Sequence, residues 1–227
     1  MRVVSQLLPQ QVRNRLRRSF DSLYCRPLAG KETIGERSQW TIVTRGLNAH
    51  AIIYSGGVGE DITFEQELIR RFDVNVHIFD PSPVAAETIR QAKNRHLLFQ
   101  PLGLTASGTG KFAVGGGAGS STWLKVAENA DGQESLPCTS LLQEMKKNGH
   151  DTIDLLKIDI EGFEYEVLES CLLHGIRIRQ LCVEFHDFFP DIPKSKTTAM
   201  IRRLQAHGFE LIHRHRHDHT FLLLNPS

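Results

Sequence analysis

At 227 residues the chain has room for one α/β domain and a short N-terminal extension, and hardly for two independent cores. Its 40% hydrophobic and 23% charged residues exclude a disordered or fibrous chain, and 27 Lys and Arg against 26 Asp and Glu leave a net charge of +1, too little field to draw nucleic acid or acidic lipid. No apolar run reaches the ~18 residues of a bilayer span, the apolar N-terminal stretch is too short for a signal peptide, and Cys25, Cys138, Cys171 and Cys182 follow neither a CxxC nor a disulfide-rich spacing. The expectation is a cytoplasmic protein with free thiols, no nucleic-acid partner, no membrane span and scope for a homo-oligomer.

In residues 3–20, Val3, Val4, Leu7, Leu8, Val12, Leu16 and Phe20 fall roughly on one helical face interrupted by Pro9, while Arg13, Arg15, Arg17 and Arg18 crowd the second half. The simplest reading is a basic helix capping the domain; a lid or a contact with an anionic surface is the alternative. Residues 26–39, with Pro27, Gly30 and Gly35, read as a linker, so the expected division is 1–39 for extension and linker and 40–227 for the domain.

From Trp40 onward, short apolar runs alternate with helical patterns. Strands are expected at 51–54, 75–79, 97–102, 153–160 and 180–185, and helices at 64–72, 83–95, 141–148, 163–174 and 196–207. That alternation predicts a parallel sheet wrapped by helices. The glycine-rich text around 105–138 predicts an inserted hairpin and loop, and 209–213 with 220–224 predict a closing hairpin whose final strand runs antiparallel.

The first chemical signal is a glycine turn. The strand at 51–54 runs into Ser55-Gly56-Gly57-Val58-Gly59-Glu60-Asp61, and a helix follows with Thr63 as the expected N-cap. Glycines let a ligand approach the backbone there, and exposed helix-start amides can bind a polar group. The next strand ends in Asp80, before Pro81, where a carboxylate can accept both hydroxyls of an adenosine ribose. NAD and S-adenosylmethionine both use such an acid. Glu60 and Asp61 stand where a pyrophosphate would come close, and their repulsion favours the cationic S-adenosylmethionine over NAD.

In Lys157-Ile158-Asp159-Ile160-Glu161-Gly162-Phe163-Glu164, alternation puts Lys157, Asp159 and Glu161 on one side at the carboxyl end of a strand, where ligands of parallel sheets bind. This run resembles the hallmark of the FkbM methyltransferases, and the glycine turn followed by Phe79-Asp80-Pro81-Ser82-Pro83 is similar to a branch of that family. The resemblance covers about 51–185. It implies a Rossmann-like class I methyltransferase fold, with a mostly parallel seven-stranded sheet, an antiparallel last strand and helices on both faces. It also implies methyl transfer from S-adenosylmethionine to a hydroxyl on a small molecule or glycan. Many members begin the turn with Asp, whereas Tyr54 stands here, so Glu60, Asp61 and Asp159 all remain candidates for the cofactor's ammonium.

The fifth strand brings Glu184 and His186 to the same edge. A hydroxyl acceptor loses a proton as it attacks, so His186 is the expected base, oriented by Asp159 or Glu184. The expected sites are thus Gly56, Gly57, Gly59, Glu60, Asp61, Asp80, Pro81 and Asp159 for the cofactor, and His186, Glu184, Asp159, Lys157 and Glu161 for catalysis. No metal is expected; a divalent ion on Asp159, Glu161, Glu184 and His186 is the minor alternative. The histidines at 213, 215, 217 and 219 read as solvated turn residues, and a catalytically idle nucleoside- or protein-binding domain is the runner-up function.

Overall fold

The computed structural model describes residues 25–109, 112–117, 120–125 and 136–224. The basic segment 3–20 lies outside them.

The strands are β1 (Lys31–Ile34), β2 (Trp40–Val43), β3 (Ile53–Gly56), β4 (Val76–Phe79), β5 (Leu97–Gln100), β6 (Gly103–Leu104), β7 (Phe112–Gly117), β8 (Ser120–Lys125), β9 (Cys138–Thr139), β10 (Thr152–Ile158), β11 (Arg177–Glu184), β12 (Phe209–His215) and β13 (Asp218–Leu223). The helices are α1 (Thr63–Phe72), α2 (Pro83–Ala92), α3 (Leu141–Asn148), α4 (Glu164–Leu173) and α5 (Lys194–Ala206). Seven strands form the main sheet in the order β12-β13-β11-β10-β3-β4-β5. All neighbours from β11 to β5 are parallel, while β13 runs antiparallel to both β11 and β12. This is the Rossmann-like class I methyltransferase fold, antiparallel last strand included.

Helices cover both faces, so the central strands are mostly apolar; every residue of β3 is buried. Tyr54 and Phe79 pack on one face with Leu141, Met145, Leu168, Met200 and Leu204 from α3, α4 and α5. Ile53, Val76 and Ile78 pack on the other with Phe64, Leu68 and Ala85 from α1 and α2. Residue-by-residue alternation along β3 and β4 splits the core into these two layers.

Most elements shift by one to three residues from expectation, β10 ending at Ile158 and β11 beginning at Arg177, and two places differ in kind. The stretch expected to be a linker contains β1, which pairs antiparallel with β2 and inserts Ile34 into the second layer. Lys31, Glu32 and Thr33 hide this strand because they face outward or lie at its rim. Thr63 is not the cap of α1 but its first residue; Asp61 Oδ1 accepts from Thr63 N at 3.0 Å, and Thr63 Oγ1 accepts from Glu36 N. Within the expected insertion, β7 and β8 pair as an antiparallel hairpin, while β6 and β9 pair in parallel at its base.

Candidate active site at the carboxyl edge of the sheet

β3 and β4 end side by side, and there the glycine turn meets Asp80. Gly57 N donates to Phe79 O at 2.9 Å. Asp80, 6% exposed, accepts Val58 N at 2.8 Å and Gly59 N at 3.0 Å on Oδ2, and Ser82 N at 2.8 Å on Oδ1. A carboxylate offers about four acceptor positions. Three are taken by amides, which leaves one. Pro81 stands half-buried between Asp80 and Ser82, whose side chain caps α2.

The three glycines serve different purposes. A Cβ on Gly56 would lie 2.7 Å from Leu104 Cδ1, and one on Gly57 would collide with the Asp159 carbonyl. Both glycines therefore admit neighbouring protein. Gly59, at φ +52°, would project its Cβ into space with nothing within 4 Å. Its side-chain direction is open, unlike those of the other two.

The two acids after the turn also diverge. Asp61 is committed to protein, accepting Ser38 N at 2.7 Å on Oδ2 and Thr63 N on Oδ1; burial opposes its charge, but these bonds hold its pKa below the usual value. Glu60 is exposed at the rim of a cavity of about 430 Å³, which is also lined by Arg37, Ser38, Trp40, Val58, Asp159, Glu184 and Asp218. Its carboxylate remains a candidate for the ammonium.

Lys157 is a buried tie beneath the turn. Only 2% exposed, it donates to the Gly57 carbonyl and lies 4.0 Å from Asp159 Oδ2. Its charge also counters the rise that burial imposes on the pKa of Glu65, a fully buried acid of α1 that accepts from Ser55 Oγ at 2.6 Å. Lys157 thus joins β10, the turn and α1, and positions groups that face the cavity.

Asp159, Glu161, Glu184 and His186 are brought together as expected. His186 Nε2 is 3.7 Å from Asp159 Oδ1 and 3.2 Å from Glu161 Oε2; Nδ1 is 2.6 Å from Glu164 Oε1, though not aligned as a hydrogen bond. Burial alone would lower the histidine's pKa, but contacts with Glu161 and Glu164 outweigh it and push it up to about 11. The expected base is thus held in its protonated form by the acids around it. Glu184 is raised to about 8, first by burial and then by the charge of Asp159. Asp218 is raised to about 6 by the same two causes.

Asp218 and Glu164 are the members of this cluster that the sequence reading did not single out as site residues. Asp218 pairs across the antiparallel ladder with Glu184 and joins it in a second cavity of about 420 Å³, shared with Arg37, Phe188 and His215. Glu164 is wholly buried at the start of α4 and accepts Ile160 N at 3.2 Å and Gly162 N at 3.1 Å. The 213–219 histidines do not converge: His215 ends β12, His217 lies in the turn against Asp187 at 2.9 Å, and His219 is buried on β13. A larger hollow of about 820 Å³, lined by residues of α3, α4 and α5 such as Leu142, Tyr165, Leu173 and Met200, holds none of the residues expected at the site.

Comparison with known proteins finds relatives and a family. Among curated proteins, "Probable methyltransferase-like protein 24" of Homo sapiens is 27% identical over 180 residues, covering 73% of this chain and 43% of that protein. The protein of the same name from Rattus norvegicus is 26% identical over 175 residues, covering 71% and 42%. The chain therefore spans less than half the length of these relatives. Among solved structures, the Methanococcus jannaschii fibrillarin pre-rRNA processing protein aligns over 86% of this chain and 83% of its own, at 11% identity and a TM-score of 0.45. The Methyltransferase FkbM domain profile matches residues 59–211, a span running from the last glycine of the turn through the acidic cluster into β12. The chain, whose turn, Asp80 and strand-end charges all meet at one edge of the sheet, belongs to the FkbM methyltransferase family.

Proposed function

We propose that the protein transfers a methyl group from S-adenosylmethionine to a hydroxyl of a small molecule or glycan. The observation that carries the reading is the pairing of Asp80 with the turn: a buried carboxylate with one acceptor position to spare, next to Gly59, whose side-chain direction is open. Asp80 would hold the ribose of the cofactor and Glu60 its positive end. When bound, S-adenosylmethionine supplies an electrophilic methyl on a cationic sulfur. The chain supplies orientation, because displacement at a methyl needs chiefly an in-line approach. The cavity between the turn and Glu184 is of a size common for small-molecule sites.

Thermal-shift titration with S-adenosylmethionine, S-adenosylhomocysteine and NAD tests the reading. A ligand at a hundred times its Kd stabilises by about 2.7 kcal/mol, so the two sulfur compounds should raise the Tm by several degrees while NAD leaves it in place. A shift with NAD alone would overturn the proposal.

A further inference from the structure

Asp159, Glu184 and His186 each offer one ligand atom, and these atoms lie within 4.8 Å of one another. Neighbouring ligands bound ~2.1 Å from one ion are about 3.0 Å apart and opposite ones about 4.2 Å, so side-chain rotations moving these atoms by about an ångström close the set. Proximity of acids alone is weak, because exposed carboxylates often cluster. Here the surroundings of His186 add an independent sign. The ring is 2% exposed, and its Nδ1 is buried without an aligned hydrogen bond, as is Glu164 Oε2. Glu164 holds the Nδ1 side at 2.6 Å and is itself fixed by two backbone amides. Nε2 is thereby aimed at Asp159 and Glu161. Carboxylate behind, imidazole between and open acids in front is the arrangement that orients a histidine toward a metal.

The charges point the same way. Asp159, Glu161, Glu164, Glu184 and Asp218 converge on this edge, while Lys157 is drawn toward the Gly57 carbonyl. Arg37 and Arg216 line the cavities there, two cations at the rim against these five acids.

We propose that Asp159, Glu184 and His186 Nε2 bind one divalent cation of the Mn²⁺ type, with Glu164 as the carboxylate that orients the histidine. Two carboxylates and one imidazole suit a six-coordinate ion that accepts both oxygen and nitrogen. Three protein ligands leave coordination positions for the acceptor. The cation takes the place of the proton between His186 and the acids. Its part in catalysis rests on the methyl-transfer reading; its binding does not. In the reaction the cation holds the acceptor hydroxyl and lowers its pKa. The hydroxyl proton passes to solvent, the new O–C bond forms as the C–S bond breaks, and the bonding pair stays on sulfur to give S-adenosylhomocysteine.

The test is titration of the chelator-treated full chain with Mn²⁺ without cofactor, followed by the loss of the free-ion electron paramagnetic resonance signal. The wild type should bind one Mn²⁺ per chain. His186→Asn and Glu184→Gln should each weaken binding at least tenfold, Glu164→Gln roughly 10- to 100-fold, and the distant Glu87→Gln not at all. Circular dichroism of each variant identifies misfolded ones, and the near-isosteric Glu184→Gln serves if His186→Asn fails to fold. No binding at millimolar Mn²⁺, or binding unchanged in folded Glu184→Gln and Glu164→Gln, would overturn the proposal. Calorimetry with S-adenosylhomocysteine on the same samples separates this failure from failure of the methyl-transfer reading.

Discussion

Lys157 illustrates how a charge in a covered strand acts. Its ammonium bonds to the Gly57 carbonyl and offsets the buried Glu65, so it supports the turn from below. Removing one partner of such a pair leaves an uncompensated buried charge. Lys157→Met should therefore destabilise the fold by roughly 3–5 kcal/mol in urea denaturation. Adding Glu65→Gln should recover part of that loss, whereas strictly additive effects would contradict the pairing. The charges Lys157, Asp159 and Glu161 were legible as one group, although β10 ends at Ile158 and Glu161 lies beyond it in a turn at φ 53° rather than in strand alternation. The division of labour was not: Lys157 turns to the Gly57 carbonyl and the charge of Glu65 on α1, and Glu161 to His186 beyond the end of β11. For the same reason, the protonation of His186 could not be read from its neighbours in the chain.

At the scale of elements, locally encoded boundaries were the readable ones. The expected helix at 141–148 coincides with α3 because its signals are adjacent: Ser140 and Gln143 form a capping box, and Gly149 closes the end at φ 70°. Ser140→Ala should cost about 1 kcal/mol in the same denaturation assay. It should also loosen the edge of the sheet, since Glu144 of α3 accepts from Gln100 at the end of β5. The β1–β2 hairpin, by contrast, was hidden. Its stability comes from packing on α1 and from Gln180, which bonds both backbone groups of Val43 across the core. No local sequence signal reports those contacts.

Across the whole molecule, strand alternation and the closing hairpin made the fold legible, and the family resemblance supplied its name. Asp218 escaped because the hairpin returns it beside Glu184 from 34 positions away in sequence. The same hairpin buries His219, whose pKa burial lowers from 6.5 to about 4. Below pH 6.5 the unfolded chain takes up a proton there that the folded one refuses, so this residue's share of stability is lost as pH falls from 6.5 toward 4. Against His219→Gln, the wild type should lose ground by up to about 1.4 kcal/mol per pH unit across that window. A pH-independent difference between the two would contradict the buried neutral imidazole.

Calorimetric titration of wild type and Gly59→Ala with S-adenosylhomocysteine addresses the cofactor cleft most directly. The added methyl meets no protein atom within 4 Å, and its positive φ costs only about 1 kcal/mol, so the variant should fold. Wild type should bind one equivalent, and the variant at least tenfold more weakly. Equal affinity in the two folded proteins, or no binding by wild type, would contradict the placement of the cofactor at Gly59 and Asp80.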